Sequence, residues 1–168
     1  PDTQPDSQSV INDSGDGHDS GDSGDPVAPT DPRAVILFIG DGMGFEHVEG
    51  AGLYANGEAG STYMEAMPWA GRIRTASLTG YTDSAAAATA MATGQKTYNA
   101  YLGMDRYGVP TQTLLEDARE QGMAVGLVST DTLTGATPSA FLVHVLSRYD
   151  TDEIVAEWLD DVPDVALG

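Results

Sequence analysis

Cysteine is absent from the 168 residues. A disulfide framework and thiolate catalysis are therefore excluded. Lysine is almost absent: Lys96 stands alone, and the chain carries 7 basic residues against 26 acidic ones, a formal net charge of −19. A surface so acidic repels DNA, RNA and anionic lipid, so no nucleic-acid partner is expected. The three histidines, His18, His47 and His144, are too dispersed to form a histidine-based metal motif. No apolar run approaches the roughly 20 residues that a membrane-crossing helix needs, so no membrane span is expected. A nucleophile elbow, a P-loop and a dinucleotide-binding glycine fingerprint are also missing.

What is present is uneven. Hydrophobic residues make up 40% of the chain, enough for the core of one domain. They are scarce in residues 1–32, where the stretch NDSGDGHDSGDSGDP repeats Asp, Ser and Gly. Such a segment cannot repay the entropy of ordering itself and reads as a disordered, solvated tail. A second reading is weak calcium binding by Asp13, Asp16, Asp19 and Asp22. These lack the spacing and the closing Glu of an EF-hand loop. Heavy Asp use with one Lys fits a halophilic or marine source. The chain begins at Pro1, which reads as compatible with processing and export.

Residues 33–168 read as one α/β domain. AVILFIG, Ala34 to Gly40, is a continuous branched apolar run and predicts a central strand buried on both faces. A helix is expected over 43–58, a short strand over Ala70 to Thr75, and an alanine-rich helix over Thr82 to Thr93. Thr111 to Gln121 predicts another helix, stopped by Gly122. Met123 to Ser129 predicts a second buried strand. Helices are expected at Pro138 to Leu146 and Thr151 to Leu159, and a strand begins at Val165. This alternation argues for a three-layer α/β/α sandwich around a largely parallel sheet. Open sheets of that kind place chemistry at the carboxyl ends of strands.

Four positions could carry such chemistry, each with a plain alternative. Asp41 ends the first apolar run, where a carboxylate can meet a metal ion or cap the following helix. Ser84 falls in the first turn of the alanine helix. Free N–H groups and the helix dipole there favour an anion, and a hydroxyl so placed can act as a nucleophile. Ser and Asp are equally ordinary caps for a helix of alanines. Thr137 can offer its oxygen to a metal or cap the helix that Pro138 opens. Arg148, placed at the end of that helix, suits bidentate grip of a phosphoryl group. It also suits the helix dipole. His47 and His144 read as surface and packing residues.

The segments ILFIGDGMG, YTDSAAAATAMATGQKTYN and ATPSAF with HVLSR resemble the alkaline phosphatases, in the same order and at compatible spacing. The resemblance covers about Ala34 to Gly168. It implies a periplasmic or secreted phosphomonoesterase, usually a homodimer, that uses two zinc ions and one magnesium ion. By resemblance Ser84 is the nucleophile that forms a phosphoserine intermediate, and Asp41 bridges one zinc and the magnesium. Thr137 is a magnesium ligand, Ser84 also meets metal, Arg148 grips the phosphate monoester, and Asp83 holds Arg148.

Two departures stand out. Gly135 lies where the family often places an Asp or His that tunes the magnesium site, and Asp131 is a candidate substitute. Family members are also usually more than twice this length. The chain is therefore expected to end inside the fold, to lack the remaining metal ligands, and to be inactive without a C-terminal remainder as partner. Related phosphodiesterase or sulfatase chemistry, or a non-catalytic calcium-binding surface fragment, are the competing readings.

Overall fold

The computed structural model describes residues 34–168. The tail readings, with His18 and the proposed calcium ligands, lie outside the described residues. The compact unit runs from Ile39 to Gly168.

Its elements follow from local chemistry. α1 (Phe45–Asn56) ends at Gly57, whose φ of 76° closes the helix in the left-handed conformation. α2 (Ser84–Thr93) has the sequence SAAAATAMAT and starts at Asp83, whose side chain accepts from the Ala86 N–H. Its small side chains let it bury Ala85, Ala86, Ala88, Thr89 and Ala92 in the core and pack closely on α4 (Ala136–Ser139). α3 (Leu114–Glu120) opens with a capping box. The Thr113 hydroxyl accepts from Glu116 N at 3.2 Å, and the Glu116 carboxylate accepts from Thr113 N at 2.7 Å. α5 (Thr151–Asp160) buries Ile154 and Trp158.

β1 (Gly126–Val128) and β2 (Val165–Leu167) pair in parallel, with Leu127 opposite Ala166. The connection between them carries α4 and α5, as parallel pairing requires a long crossover. The arrangement is α/β, as the sequence predicts. The core gathers Leu102, Val143, Val145 and Ile154, none of them exposed, beneath α2 and beside the Trp158 ring.

Four expectations are corrected. Met123 to Ser129 is not a buried strand: only Gly126–Val128 pairs, as β1, and Val128 is 71% exposed, because among the described residues the sheet has just two strands and leaves it uncovered. Ala34 to Gly40 forms no strand, and Val35 to Phe38 stand exposed. An apolar run becomes a strand only where a sheet edge accepts its backbone groups, and among the described residues the only sheet is the β1–β2 pair. Ala70 to Thr75 likewise stays irregular and exposed. The helix expected over Pro138 to Leu146 is confined to the single turn of α4. The chain leaves it because His144 N donates to the Glu157 carboxylate at 2.6 Å, and Val145 forms a bridge with Leu102 through hydrogen bonds of 2.9 and 3.0 Å. Branched Val143 and Val145 suit that extended path.

Candidate functional site

The site grows from the start of α2. Asp83 precedes the helix in an extended conformation, and its carboxylate is the local hub. Oδ1 accepts from Ala86 N at 2.9 Å, which caps the helix. Oδ2 accepts from Ala100 N at 2.9 Å and lies 3.7 Å from Arg148 Nη1. Arg148 is also tied through its backbone, since its N–H donates to Ala100 O at 2.8 Å. The residue therefore sits beside the start of α2, in irregular chain and not at a helix end. This corrects the sequence placement and follows from the shortening of α4.

Ser84 is the first residue of α2, half-buried, at the end where helical N–H groups have no acceptor within the helix. Its hydroxyl donates to Asp41 Oδ1 at 3.0 Å. Thr137, inside α4, donates to the other oxygen, Asp41 Oδ2, also at 3.0 Å. One carboxylate thus joins two hydroxyls that lie 43 and 96 residues away in sequence. Asp41 is exposed. The structure brings Asp41, Ser84 and Thr137 together, and Asp83 with Arg148 beside them.

The two described histidines stand apart. His47 Nδ1 accepts from Gly44 N at 3.1 Å and so caps α1. His144 uses Nε2 on the Thr111 carbonyl oxygen at 3.1 Å, with Glu116 at 3.6 Å, and serves packing.

Sequence reading missed two supports. Asn99 Oδ1 accepts from Asp83 N at 3.3 Å, and Asn99 Nδ2 donates to Tyr81 O at 2.9 Å. Ala100 has a φ of 74°, a left-handed conformation rare for a residue with a Cβ. That turn aims its N–H at Asp83 and its carbonyl at Arg148. Asn99 lies in the YTDS to KTYN segment, which was the available signal. The unusual φ of Ala100 left none.

The convergent donors are carboxylate and hydroxyl oxygens, the set preferred by a hard cation such as magnesium. A zinc site asks for several nitrogen, sulfur or carboxylate donors. Among the described residues no cluster of three or more His, Cys, Asp or Glu could hold a metal ion. The described residues fit a magnesium-type oxygen site and do not by themselves fit a zinc pair.

The chain matches the model of the alkaline phosphatase family over residues 32–165. It is 46% identical over 124 residues to the alkaline phosphatase of Escherichia fergusonii, covering 69% of this chain and 26% of that relative. The crystal structure of a cold-active alkaline phosphatase from the psychrophile Shewanella sp. superposes with a TM-score of 0.69 at 37% identity, covering 77% of this chain and 34% of that one. A mutant of TAB5 alkaline phosphatase, solved with Mg bound in its M3 site, gives a TM-score of 0.67 at 30% identity over 75% of this chain and 36% of that one. The chain spans about a quarter to a third of the length of these relatives. With a model match over nearly the whole described body and an α/β architecture shared with solved members at these identities, the chain belongs to the alkaline phosphatase family.

Proposed function

We propose that this chain carries the nucleophile and the phosphate grip of a metal-dependent phosphomonoesterase that works through a phosphoserine intermediate. The observation that supports the reading most is the convergence of Ser84 and Thr137 on the two oxygens of Asp41 at the start of α2.

Arg148 binds the substrate's phosphoryl oxygens with the free part of its guanidinium, while Asp83 fixes its position. The first N–H groups of α2 add a partial positive charge on the same side. Ser84 Oγ attacks phosphorus, the Oγ–P bond forms, and the bond to the leaving alcohol's oxygen breaks. The Ser84 proton departs along its hydrogen bond to Asp41, and the leaving oxygen takes a proton from solvent. Water then attacks the phosphoserine, releases inorganic phosphate and restores the hydroxyl. Asp41, Thr137 and Ser84 would hold a magnesium ion, in line with the Mg bound in the M3 site of the TAB5 relative, and that ion would supply positive charge near the developing anion. The zinc pair implied by resemblance needs donors beyond the described residues, as does full turnover.

The test is turnover of p-nitrophenyl phosphate in zinc and magnesium buffer. The 168-residue chain alone should show none above the metal-only control. Fused to the C-terminal two thirds of a family member it should show turnover that Ser84→Ala removes. Equal turnover by the Ser84→Ala fusion would overturn the reading.

A further inference from the structure

Among the described residues Ala100 is the one residue other than glycine with a positive φ, 74°. It is the third residue of a turn that Tyr101 N closes by donating to Tyr98 O at 3.3 Å. Glycine is the usual occupant of such a position, because a Cβ there crowds the backbone. A strained residue persists only where its surroundings over-determine it. Here they do so from both sides of the turn. Asn99 Oδ1 accepts from Asp83 N at 3.3 Å and Asn99 Nδ2 donates to Tyr81 O at 2.9 Å, so one side-chain amide spans the residues on either side of Thr82. The Asp83 carboxylate answers by accepting from Ala100 N at 2.9 Å. Beyond the turn, buried Thr89 on α2 donates to Tyr101 O at 3.0 Å and accepts from Gly103 N at 3.1 Å.

What the strained turn presents is Ala100 O, which accepts from Arg148 N at 2.8 Å. That bond matters because the side-chain tie is loose. Arg148 Nη1 stands 3.7 Å from Asp83 Oδ2, outside hydrogen-bond range, and both side chains are partly exposed. An ion pair of that kind does not by itself fix the direction of a long side chain. Arg148 takes its place from its backbone: Asn99 grips the segment that leads into Ser84, and Ala100 carries that position to Arg148. Resting on the phosphate-grip reading above, we propose that Asn99 is a positioning residue of the reaction. It touches no substrate. Through the Ala100 turn it sets where the Arg148 guanidinium stands relative to the Ser84 hydroxyl.

Two measurements test this role. The first is inhibition of the fusion protein by inorganic phosphate during turnover of p-nitrophenyl phosphate. Asn99→Ala should raise the phosphate Ki and the KM about tenfold and change kcat less than about twofold, because a displaced Arg148 weakens ground state and transition state alike. In an Arg148→Ala background Asn99→Ala should add nothing further. A full-sized Asn99→Ala effect in that background, or none in its absence, would overturn the positioning role. An Arg148→Ala fusion with an unchanged phosphate Ki would instead overturn the phosphate grip on which the role rests. The second measurement is amide hydrogen exchange of the 15N-labelled 168-residue chain, which needs no turnover. In Asn99→Ala the Arg148 N–H should exchange about tenfold faster, while the Leu102 and Val145 amides, paired with each other's carbonyls, keep their protection. Unchanged exchange at Arg148, or an equal loss of protection at Leu102 and Val145, would mean that Asn99 does not act on Arg148 through the turn and would overturn the proposal.

Discussion

Replacing Asp83 with Ala should be among the costliest polar substitutions in the chain. Its carboxylate does three jobs at once: it caps α2 through Ala86 N, receives Ala100 N, and faces Arg148. Loss of a helix cap costs about 1 kcal/mol. The half-buried Ala100 N–H, left without an acceptor, costs about 1–2 kcal/mol. The ion pair is loose and its side chains are 28% and 25% exposed, so it contributes no more than about 0.5 kcal/mol. The sum is about 2.5–3.5 kcal/mol for Asp83→Ala. Asp83→Asn keeps a carbonyl acceptor for one of the two N–H groups and should cost about half as much. Urea unfolding of the chain followed by far-UV circular dichroism measures both, with an unchanged m-value as the control for the unfolded state. The double cycle with Arg148→Ala should give a coupling of about 0.5 kcal/mol or less. If Asp83→Ala cost under about 0.5 kcal/mol, or if most of its cost vanished in an Arg148→Ala background, the hub would be wrongly described.

Other expected outcomes rest on separate contacts. Gly103→Ala should destabilise by about 2–4 kcal/mol in the same assay, because a Cβ would collide with the Val143 carbonyl and Gly103 holds a φ of 59°. Leu102→Ala, at a position with no exposure, should cost about 2–5 kcal/mol. Trp158→Phe removes the 3.1 Å hydrogen bond from the indole N–H to Ser139 Oγ and should cost about 1 kcal/mol by urea unfolding. Calorimetry of a peptide spanning residues 1–32 with calcium should show no stoichiometric binding at micromolar concentration. A saturating isotherm there would revive the calcium-binding reading.

The start of α2 was legible because its signal is local. The run of alanines after Asp83-Ser84 announces a helix and its cap together, and the structure starts α2 at Ser84. The paired strands β1 and β2 and the amphipathic α5 also follow from apolar runs and their punctuation. Ala34 to Gly40 shows the limit of that signal. Its composition says that it prefers a strand, but a strand exists only with a hydrogen-bonded neighbour, and composition does not name one. The end of α4 was equally hidden. Pro138 to Leu146 has helical composition, yet the Glu157 carboxylate captures His144 N from another element and the chain turns to meet Leu102. Arg148 moved with it. The meeting of Asp41 with Thr137 spans 96 residues and could be foreseen only through family resemblance.

The most direct measurement is an acid quench of the fusion protein during turnover, followed by peptide mass spectrometry. Phosphate should be found on the peptide that contains Ser84, at that hydroxyl, and should disappear when the substrate is exhausted before quenching. Phosphate held on a different side chain, with the Ser84 peptide unmodified throughout steady turnover, would contradict the account.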